Sequence, residues 1–286
     1  MIKTAARLAL AATMLLAAGC GGDPPASGNH GGHHESGHSP GGHHAGSQDT
    51  GHGLTDTRHG YRLAGLAGPS RPGEKATLSF HIASPGGKPQ TRFRIEQTKK
   101  IHVYVVRKDL AHFQHVHPNM AGDGTWTVPL ALTEPGPYRV VTEFVAEAGD
   151  GTARHLVLGA DLTVPGAYQS QTLPAPNPTG RADGYDLTLT GTPAAGDASR
   201  LSVRVTRDGH DVTDLQPYLD AHAHITGFHK DTLAVTHLHP TGKADGPGGP
   251  QLNVTATFPR PGKYRLFIQF QTSGTVHTAP VTVNVD

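Results

Sequence analysis

The chain has 286 residues, with 24 Lys and Arg, 23 Asp and Glu, and 21 His, so its formal charge at neutral pH is only +1. That balance leaves no basic surplus for binding phosphates, and we expect no nucleic-acid partner. A single Cys excludes an internal disulfide framework, a Cys-ligated zinc finger and a CxxC redox site. The 37 Gly and 23 Pro favour short strands joined by turns over a mainly helical fold.

The first residues have the pattern of an export signal. Lys3 and Arg7 precede a short apolar run that ends in LAAGC at Cys20. The run is too short for a membrane span, so residues 1–19 are predicted to be a signal peptide. LAAGC resembles the cleavage site of bacterial lipoproteins, which implies acylation of Cys20 and a lipid anchor in the cell membrane, facing outside the cytoplasm. The alternative is an ordinary secretory signal with a Cys at that place by chance.

Residues 20–56 are predicted to be a disordered tether rich in His and Gly. They contain too little apolar surface to offset the entropy of ordering. Eight His fall between residues 21 and 59, which suggests a flexible arm that gathers metal ions. A hydrophilic spacer is the alternative. The His of this stretch are His30, His33, His34, His38, His43, His44, His52 and His59.

An internal repeat follows. The pattern H-x5-K-D-x5-H-x-H-P begins at His102 and again at His224, and a downstream PG-x-Y-R begins at Pro135 and again at Pro261. Because the order and spacing agree, we assign one domain to residues 57–166 (repeat one) and one to 181–286 (repeat two). Residues 167–180 are rich in Pro and are predicted to be a semi-rigid linker.

Each repeat is predicted to be all-β. Alternating apolar and polar residues form about seven strands separated by Gly- and Pro-containing turns, which is typical of an antiparallel immunoglobulin-like β-sandwich. Tyr138 and Tyr264, after their Pro-Gly pairs, are candidates for the corner where the chain crosses between sheets. The stretch 215–223 is predicted to form a short helical turn.

The repeated His motif predicts a hairpin with a definite register. In repeat one, a symmetric turn places His102 opposite His117 and Tyr104 opposite His115, so that three imidazoles share one face. A slip of one residue would turn His102 to the other face. The same register in repeat two places His224 opposite His239.

Three imidazoles in one place suit Cu(II) or Zn(II), so a copper or zinc ion is the expected cofactor. The alternative is that these His only hydrogen-bond the backbone at strand ends. The predicted ligands are His102, His115 and His117 in repeat one and His224, His237 and His239 in repeat two. Additional candidates are His222, His155 and His277, whereas His81, His112, His210 and His229 have no counterpart and are predicted to lie on the surface.

The tandem HxHP and PG-x-Y-R blocks resemble those of an uncharacterised family of secreted bacterial lipoproteins with two β-sandwich domains. The architecture is more loosely similar to periplasmic copper-resistance β-sandwich proteins. The family resemblance implies an exported two-domain β-sandwich involved in heavy-metal handling. From the His sites we predict metal sequestration or delivery, with a metal-exchange protein as partner, and no catalytic residue. Two alternatives stay open: an immunoglobulin-like interaction module with structural His, and a metal-dependent redox enzyme.

Overall fold

The computed structural model describes residues 50–242 and 244–286, apart from the side chain of His239. Every regular element in this part of the chain is a β-strand. Within the same residues there is no helix of the length and hydropathy that a membrane crossing requires. The predicted signal peptide, the acylated Cys20 and the tether up to residue 49 lie outside the described residues.

Repeat one is a sandwich of two antiparallel sheets. One sheet has the strand order β1-β2-β3-β8-β7, and the other has the order β10-β9-β5-β6 with β4 paired to β9. Large apolar side chains such as Phe80, Phe93 and Trp126 fill the space between the sheets. The strands are β1 (Thr57–Arg58), β2 (Tyr61–Ala67), β3 (Lys75–Ala83), β4 (Phe93–Arg94), β5 (Ile101–Arg107), β6 (Phe113–Val116), β7 (Asn119–Met120), β8 (Thr125–Ala131), β9 (Gly136–Glu147) and β10 (Ala153–Val164).

Repeat two has nine strands where repeat one has ten, and its strands form one continuous sheet. Its order is β11-β12-β13-β17-β16-β15-β18-β19, with β14 paired to β13. Continuity arises because β16, which contains the second HxHP, pairs with β15 through its first half and with β17 through its second half. The strands are β11 (Thr179–Ala182), β12 (Tyr185–Thr190), β13 (Ala198–Arg207), β14 (His210–Asp211), β15 (His224–His229), β16 (Val235–Pro240), β17 (Gln251–Thr257), β18 (Gly262–Thr272) and β19 (Thr275–Val285).

These sheets confirm the prediction of two tandem all-β domains with antiparallel pairing. Both tyrosines named as corner candidates bond the backbone four residues upstream. The Tyr138 hydroxyl donates to the Glu134 carbonyl at 2.8 Å, and the Tyr264 hydroxyl donates to the Arg260 carbonyl at 3.0 Å. The Gly of each Pro-Gly pair has a positive φ, 135° at Gly136, which a residue with a side chain rarely adopts.

Two local predictions are wrong. The stretch 215–223 is not helical, because Leu219 and Asp220 both have positive φ and the segment forms isolated bridges instead. His229 is buried rather than on the surface. Its Nε2 donates to the Pro261 carbonyl and its Nδ1 accepts from backbone amides of the adjacent turn, so the ring replaces backbone partners that the turn lacks.

The two repeats pack against each other within one compact unit. Strand β5 is buried on both faces: Val103 and Val105 lie in the core of repeat one, whereas Tyr104 and Val106 lie in an apolar cluster shared with repeat two. In that cluster the rings of Phe113 and Phe267 stack with centroids 4.2 Å apart. The face of the sheet that carries the predicted metal ligands is therefore an interface between the repeats.

Residues at the start of the described chain also enter this interface. The His52 carbonyl accepts a hydrogen bond from the amide of Val235 in repeat two. The Gly53 carbonyl accepts from the Arg139 guanidinium in repeat one. The chain just before repeat one thus contacts both repeats, and His52 is part of that contact.

Candidate metal centre

The hairpin of repeat one has the predicted register. Tyr104 lies opposite His115 and Val103 lies opposite Val116 on β5 and β6. His102 and His115 consequently share a face with His117, which follows β6 directly. Their ligand atoms all lie within 4.8 Å of one another, the arrangement that a metal ion needs. We call His102, His115 and His117 the triad.

Hydrogen-bond partners fix which nitrogen carries the proton in two of the three rings, His102 and His115. His102 Nε2 lies 3.1 Å from the Glu96 carbonyl, which can only accept, so this nitrogen is protonated. His115 Nδ1 lies 2.8 Å from Gln269 Oε1 and is protonated for the same reason. The amide orientation of Gln269 is supported by its Nε2, which donates to Thr278 Oγ1 at 3.3 Å.

The remaining nitrogens of His102 and His115 therefore direct lone pairs at each other. His102 Nδ1 is 3.1 Å from His115 Nε2 and 3.3 Å from His117 Nε2. Two unprotonated nitrogens at such a distance repel unless a cation lies between them. In a tetrahedral zinc site, with metal–nitrogen bonds of about 2.0–2.1 Å, ligand nitrogens are about 3.3 Å apart. The two distances from His102 Nδ1 are close to that value.

Burial keeps the triad free of protons. It lowers the pKa of His102, an effect that the nearby Glu143 carboxylate partly opposes. It holds the pKa of His115 well below the ordinary value, with further lowering by His117 and His102. It lowers the pKa of His117 to about 3, again with a contribution from His102. All three rings are neutral at physiological pH, and a metal ion meets no competing proton there.

A tight loop stands beside the triad and orients it. Glu96 and Lys99 exchange backbone hydrogen bonds, which places the Glu96 carbonyl against His102. Between them, Gln97 and Thr98 have φ of 46° and 68°, which is costly for a β-branched residue such as Thr98. His102 is buried, whereas His115 and His117 are half-buried, so the triad is reached from the His117 side.

The His of repeat two come to the same place. Thr226 lies opposite His237 on β15 and β16, which is the predicted register of the second hairpin. His224 stacks on His115 of repeat one with ring centroids 4.5 Å apart, and His237 lies 4.5 Å from His224. Burial, together with His237 and His115, holds the pKa of His224 well below its ordinary value. His239 pairs through its backbone with Thr255 of β17, and its side chain is outside the described part.

The sequence reasoning missed a carboxylate in this cluster. Glu143 lies opposite His102 on β9 and is only 6% exposed. It accepts hydrogen bonds from the Tyr104 hydroxyl at 2.9 Å and from His155 Nε2 at 2.9 Å. Burial acts to raise its pKa, but His237 and His155 outweigh that effect and hold the pKa well below the ordinary value. An acidic residue in the centre of the apolar run VVTEFV was the available signal.

The three additional candidates have separate surroundings. His155 is bonded to Glu143 beside the triad, and that contact raises its pKa although burial opposes the shift. His222 is bonded to the Gly246 carbonyl at 2.8 Å. His277 lies among core residues of repeat two and bonds Asp183 and Thr272. The structure thus brings His155 to the cluster and places His222 and His277 in other hydrogen-bond networks.

Comparison with solved structures finds distant β-rich proteins. Domains 4 and 5 of the S-layer protein SbsC match at 13% identity and a TM-score of 0.24, over 79% of this chain and 96% of that one. Invasin, a bacterial integrin-binding protein, matches at 16% identity and 0.23, over 79% and 38%. The alpha-2-macroglobulin of E. coli matches at 14% identity and 0.25, over 79% and 17%. Likenesses at such scores carry no conclusion about function.

Comparison with curated protein sequences gives no match. A family match is found, however, and it coincides with the internal repeat. The family described as "Domain of unknown function (DUF8832)" matches residues 56–160 and residues 180–286. Because these two segments make up most of the chain, the protein belongs to this family and carries two copies of its domain.

Proposed function

We propose that the protein is a non-catalytic metal-binding lipoprotein that holds Cu(II) or Zn(II) in the triad and serves to sequester or deliver the ion. The observation that supports this most directly is the convergence of three neutral imidazoles, two of which, His102 and His115, have their outer nitrogens already bonded. The inner nitrogens of these two rings are then unprotonated and have no hydrogen-bond donor between them. A bound cation resolves this arrangement without moving the backbone.

The choice of metal follows from the ligands. Imidazole is a borderline donor that suits Cu(II) and Zn(II), whereas Cu(I) prefers sulfur. Three nitrogens leave a fourth position for water or an exchanging ligand, which suits an ion that is passed on. His224, His237 and His239 are proposed as a second position in repeat two, with backbone register equivalent to that of the triad.

The proposed place of the protein is the outer side of the cell membrane, with acylated Cys20 as the anchor. The His-rich segment after it would collect metal loosely, since flexible ligands pay an entropy cost on binding. The triad would then hold the ion more firmly because its rings are oriented before binding. A metal-exchange protein is the proposed partner.

The test is a calorimetric titration of the full mature chain with Zn(II) and, separately, Cu(II). We expect the His117→Ala variant to weaken binding at the triad by roughly 100-fold, since it removes one of three ligands. His117 is the most suitable target because it follows β6 and is half-buried. The matched control is His210→Ala, which removes an exposed imidazole from β14.

The imidazoles of the predicted tether contribute the same background binding to every variant. The difference in affinity between variants therefore measures metal binding at the triad. If His117→Ala and the wild type bind with equal affinity and stoichiometry, the proposal is wrong. The histidines would then be structural, which is the reading of the chain as an immunoglobulin-like interaction module. Turnover of a redox substrate by the Cu(II)-loaded protein would instead support the enzyme alternative.

A further inference from the structure

The arginines of the two PG-x-Y-R blocks occupy equivalent positions, but they have different partners. Arg139 Nη1 donates to Asp161 Oδ1 at 2.8 Å, across β9 and β10. The residue opposite Arg265 on β19 is Thr282, and Arg265 Nη1 donates to its hydroxyl at 2.6 Å. Repeat two therefore has a neutral hydroxyl at the position where repeat one has a carboxylate.

The other edge of the Arg139 guanidinium is occupied by the chain segment that precedes repeat one. Arg139 Nε and Nη2 both donate to the Gly53 carbonyl, at 3.1 and 2.7 Å. The same segment is held on β10 by the amide of Gly159, which donates to the Thr55 carbonyl. In repeat one, a peptide carbonyl and a carboxylate thus satisfy this guanidinium together.

Repeat two cannot hold a peptide segment in that way. Pro280 stands in the place of Gly159, since each lies two residues before the partner of the arginine on the last strand. Proline has no amide hydrogen to donate, and a Cβ atom on Gly159 would overlap the Gly53 carbonyl. Arg265 Nε is buried and has no hydrogen-bond partner among the described residues.

An open groove of about 870 Å³ includes Arg265 in its lining. Of the other charged residues that line it, Arg181 and Asp186 form an ion pair with each other at 2.6 Å. Burial lowers the pKa of Arg265, as expected for a cation that loses hydration without gaining a counter-ion. The groove therefore has one positive charge that none of its lining residues offsets. Its walls include Pro174, Pro176, Pro280 and Thr282.

We propose that this groove of repeat two binds an acidic peptide segment, whose side-chain carboxylate pairs with Arg265 as Asp161 pairs with Arg139 in repeat one. A carboxylate fits the planar fork of a guanidinium, and such charge-assisted bonds are about twice as strong as neutral ones. A peptide is the occupant that repeat one itself places against the equivalent guanidinium. The site adds a second ligand to the metal-binding function proposed above and does not depend on it.

The test is a titration of the metal-free full chain with the peptide acetyl-Gly-Asp-Gly-amide. The matched control is acetyl-Gly-Asn-Gly-amide, which has the same shape without the charge. Binding is followed by NMR at the Nε–H resonance of Arg265. We expect the Asp peptide to shift this resonance to saturation and to bind about 10-fold more tightly than the Asn peptide. Acetate has the carboxylate without a peptide backbone, and we expect it to bind more weakly than the Asp peptide.

Two variants assign the binding to Arg265, and both are followed by backbone amide shifts of the groove. Arg265→Gln removes the charge and is expected to weaken binding of the Asp peptide by about 10-fold. Thr282→Asp supplies the carboxylate from within the chain, as Asp161 does in repeat one, and is expected to abolish binding while raising the unfolding temperature. The matched control is Thr275→Asp, which adds the same charge at the exposed start of β19 and should leave the affinity unchanged.

The outcomes are distinct from those of the metal titration. Equal binding of the Asp and Asn peptides overturns the site, and so does an unchanged affinity in Arg265→Gln. Binding by Thr282→Asp as tight as by Thr275→Asp also overturns it. If acetate binds as tightly as the Asp peptide, the assignment of a peptide as the occupant is overturned. Loss of peptide binding in both Arg265→Gln and Thr282→Asp, with the Thr275→Asp control intact, supports the proposal.

Discussion

At the scale of single residues, the surroundings of a His decide its role more than its spacing in the sequence does. His117, His229 and His277 are all at least half-buried. His117 has its Nε2 near the unprotonated Nδ1 of His102. His229 bonds the backbone of a turn, and His277 lies between Asp183 and Thr272. Of these three, only His117 lies against the unprotonated nitrogen of another imidazole, and only for it do we infer metal ligation.

The turn residue Asp109 shows the same dependence on surroundings. It forms a two-point ion pair with Arg107 in which both side chains are 3% exposed. It also accepts the amide of Gln171 from the linker. Asp231, the equivalent residue of repeat two, bonds only its neighbour Lys230 and is 69% exposed. We therefore expect Asp109 to matter for stability and Asp231 to matter little.

Asp109→Asn should lower the free energy of unfolding by about 2–4 kcal/mol, because it leaves the buried Arg107 charge without its partner. Burial raises the pKa of Asp109, but the bonds from Arg107 and Gln171 outweigh it and lower the pKa overall. A carboxylate with a lowered pKa contributes stability above its ordinary pKa of about 3.9, and that contribution is lost as the pH falls through the folded-state value.

The loss of unfolding free energy caused by Asp109→Asn should thus be complete at pH 7. It should shrink below about pH 4, where the wild-type Asp109 carboxyl becomes protonated and loses its charge as well. Urea unfolding at both pH values measures it, with Asp231→Asn as the control. Equal effects of the two substitutions at pH 7, or a deficit that grows in acid, would contradict the prediction.

At the scale of elements, the loop from Glu96 to Lys99 combines backbone strain with a role at the triad. Thr98 is exposed and has a φ of 68°, where a β-branched side chain is strained by about 1–3 kcal/mol. Thr98→Asn should therefore raise the free energy of unfolding by about 1 kcal/mol, since Asn tolerates this region.

Thr98→Val retains the β-branched shape and serves as the matched control without a gain in stability. Thermal unfolding of the two variants distinguishes them. A Thr98→Asn protein no more stable than Thr98→Val would show that the loop relaxes its backbone at no cost, and that strain plays no part in placing the Glu96 carbonyl.

The elements also show how far the sequence predicts this site. A symmetric turn and alternation along each strand were enough to give the pairing of Tyr104 with His115, because both features are local. They could not give the burial of both faces of β5, since that depends on repeat two. Each repeat has more strands than the roughly seven that were predicted, because the structure adds two-residue strands such as β4 and β7. The pairing of such short strands depends on tertiary contacts and not on alternation in the sequence.

At the scale of the whole molecule, the two repeats resemble a symmetric dimer joined into one chain. Equivalent surfaces face each other, and His102 stacks with His224 at an interplanar angle of 10°. His115 of repeat one bonds Gln269 of repeat two, and His237 of repeat two contacts Glu143 of repeat one. A self-complementary interface of this kind places equivalent residues together at its centre. Duplicated His motifs thus form one cluster rather than two distant sites, which the sequence alone left undecided.

This packing predicts that the repeats unfold together. Domains with a small polar interface move independently, whereas a large apolar one couples them. The apolar contact here is centred on Phe267, which is 4% exposed and stacks on Phe113 across the interface. We expect one calorimetric transition for the wild type and two for Phe267→Ala, which removes about 3 kcal/mol of packing from the interface.

Phe270→Ala provides the control, because Phe270 is also buried on β18 but packs within repeat two. It should lower the transition temperature while leaving a single transition, since the interface is intact. The two variants differ only in which side of the same strand loses its ring. If both give one transition, or the wild type already gives two, the coupling does not depend on the aromatic stack. In that case the polar cluster around Glu143 and Gln269 must be what holds the repeats in register.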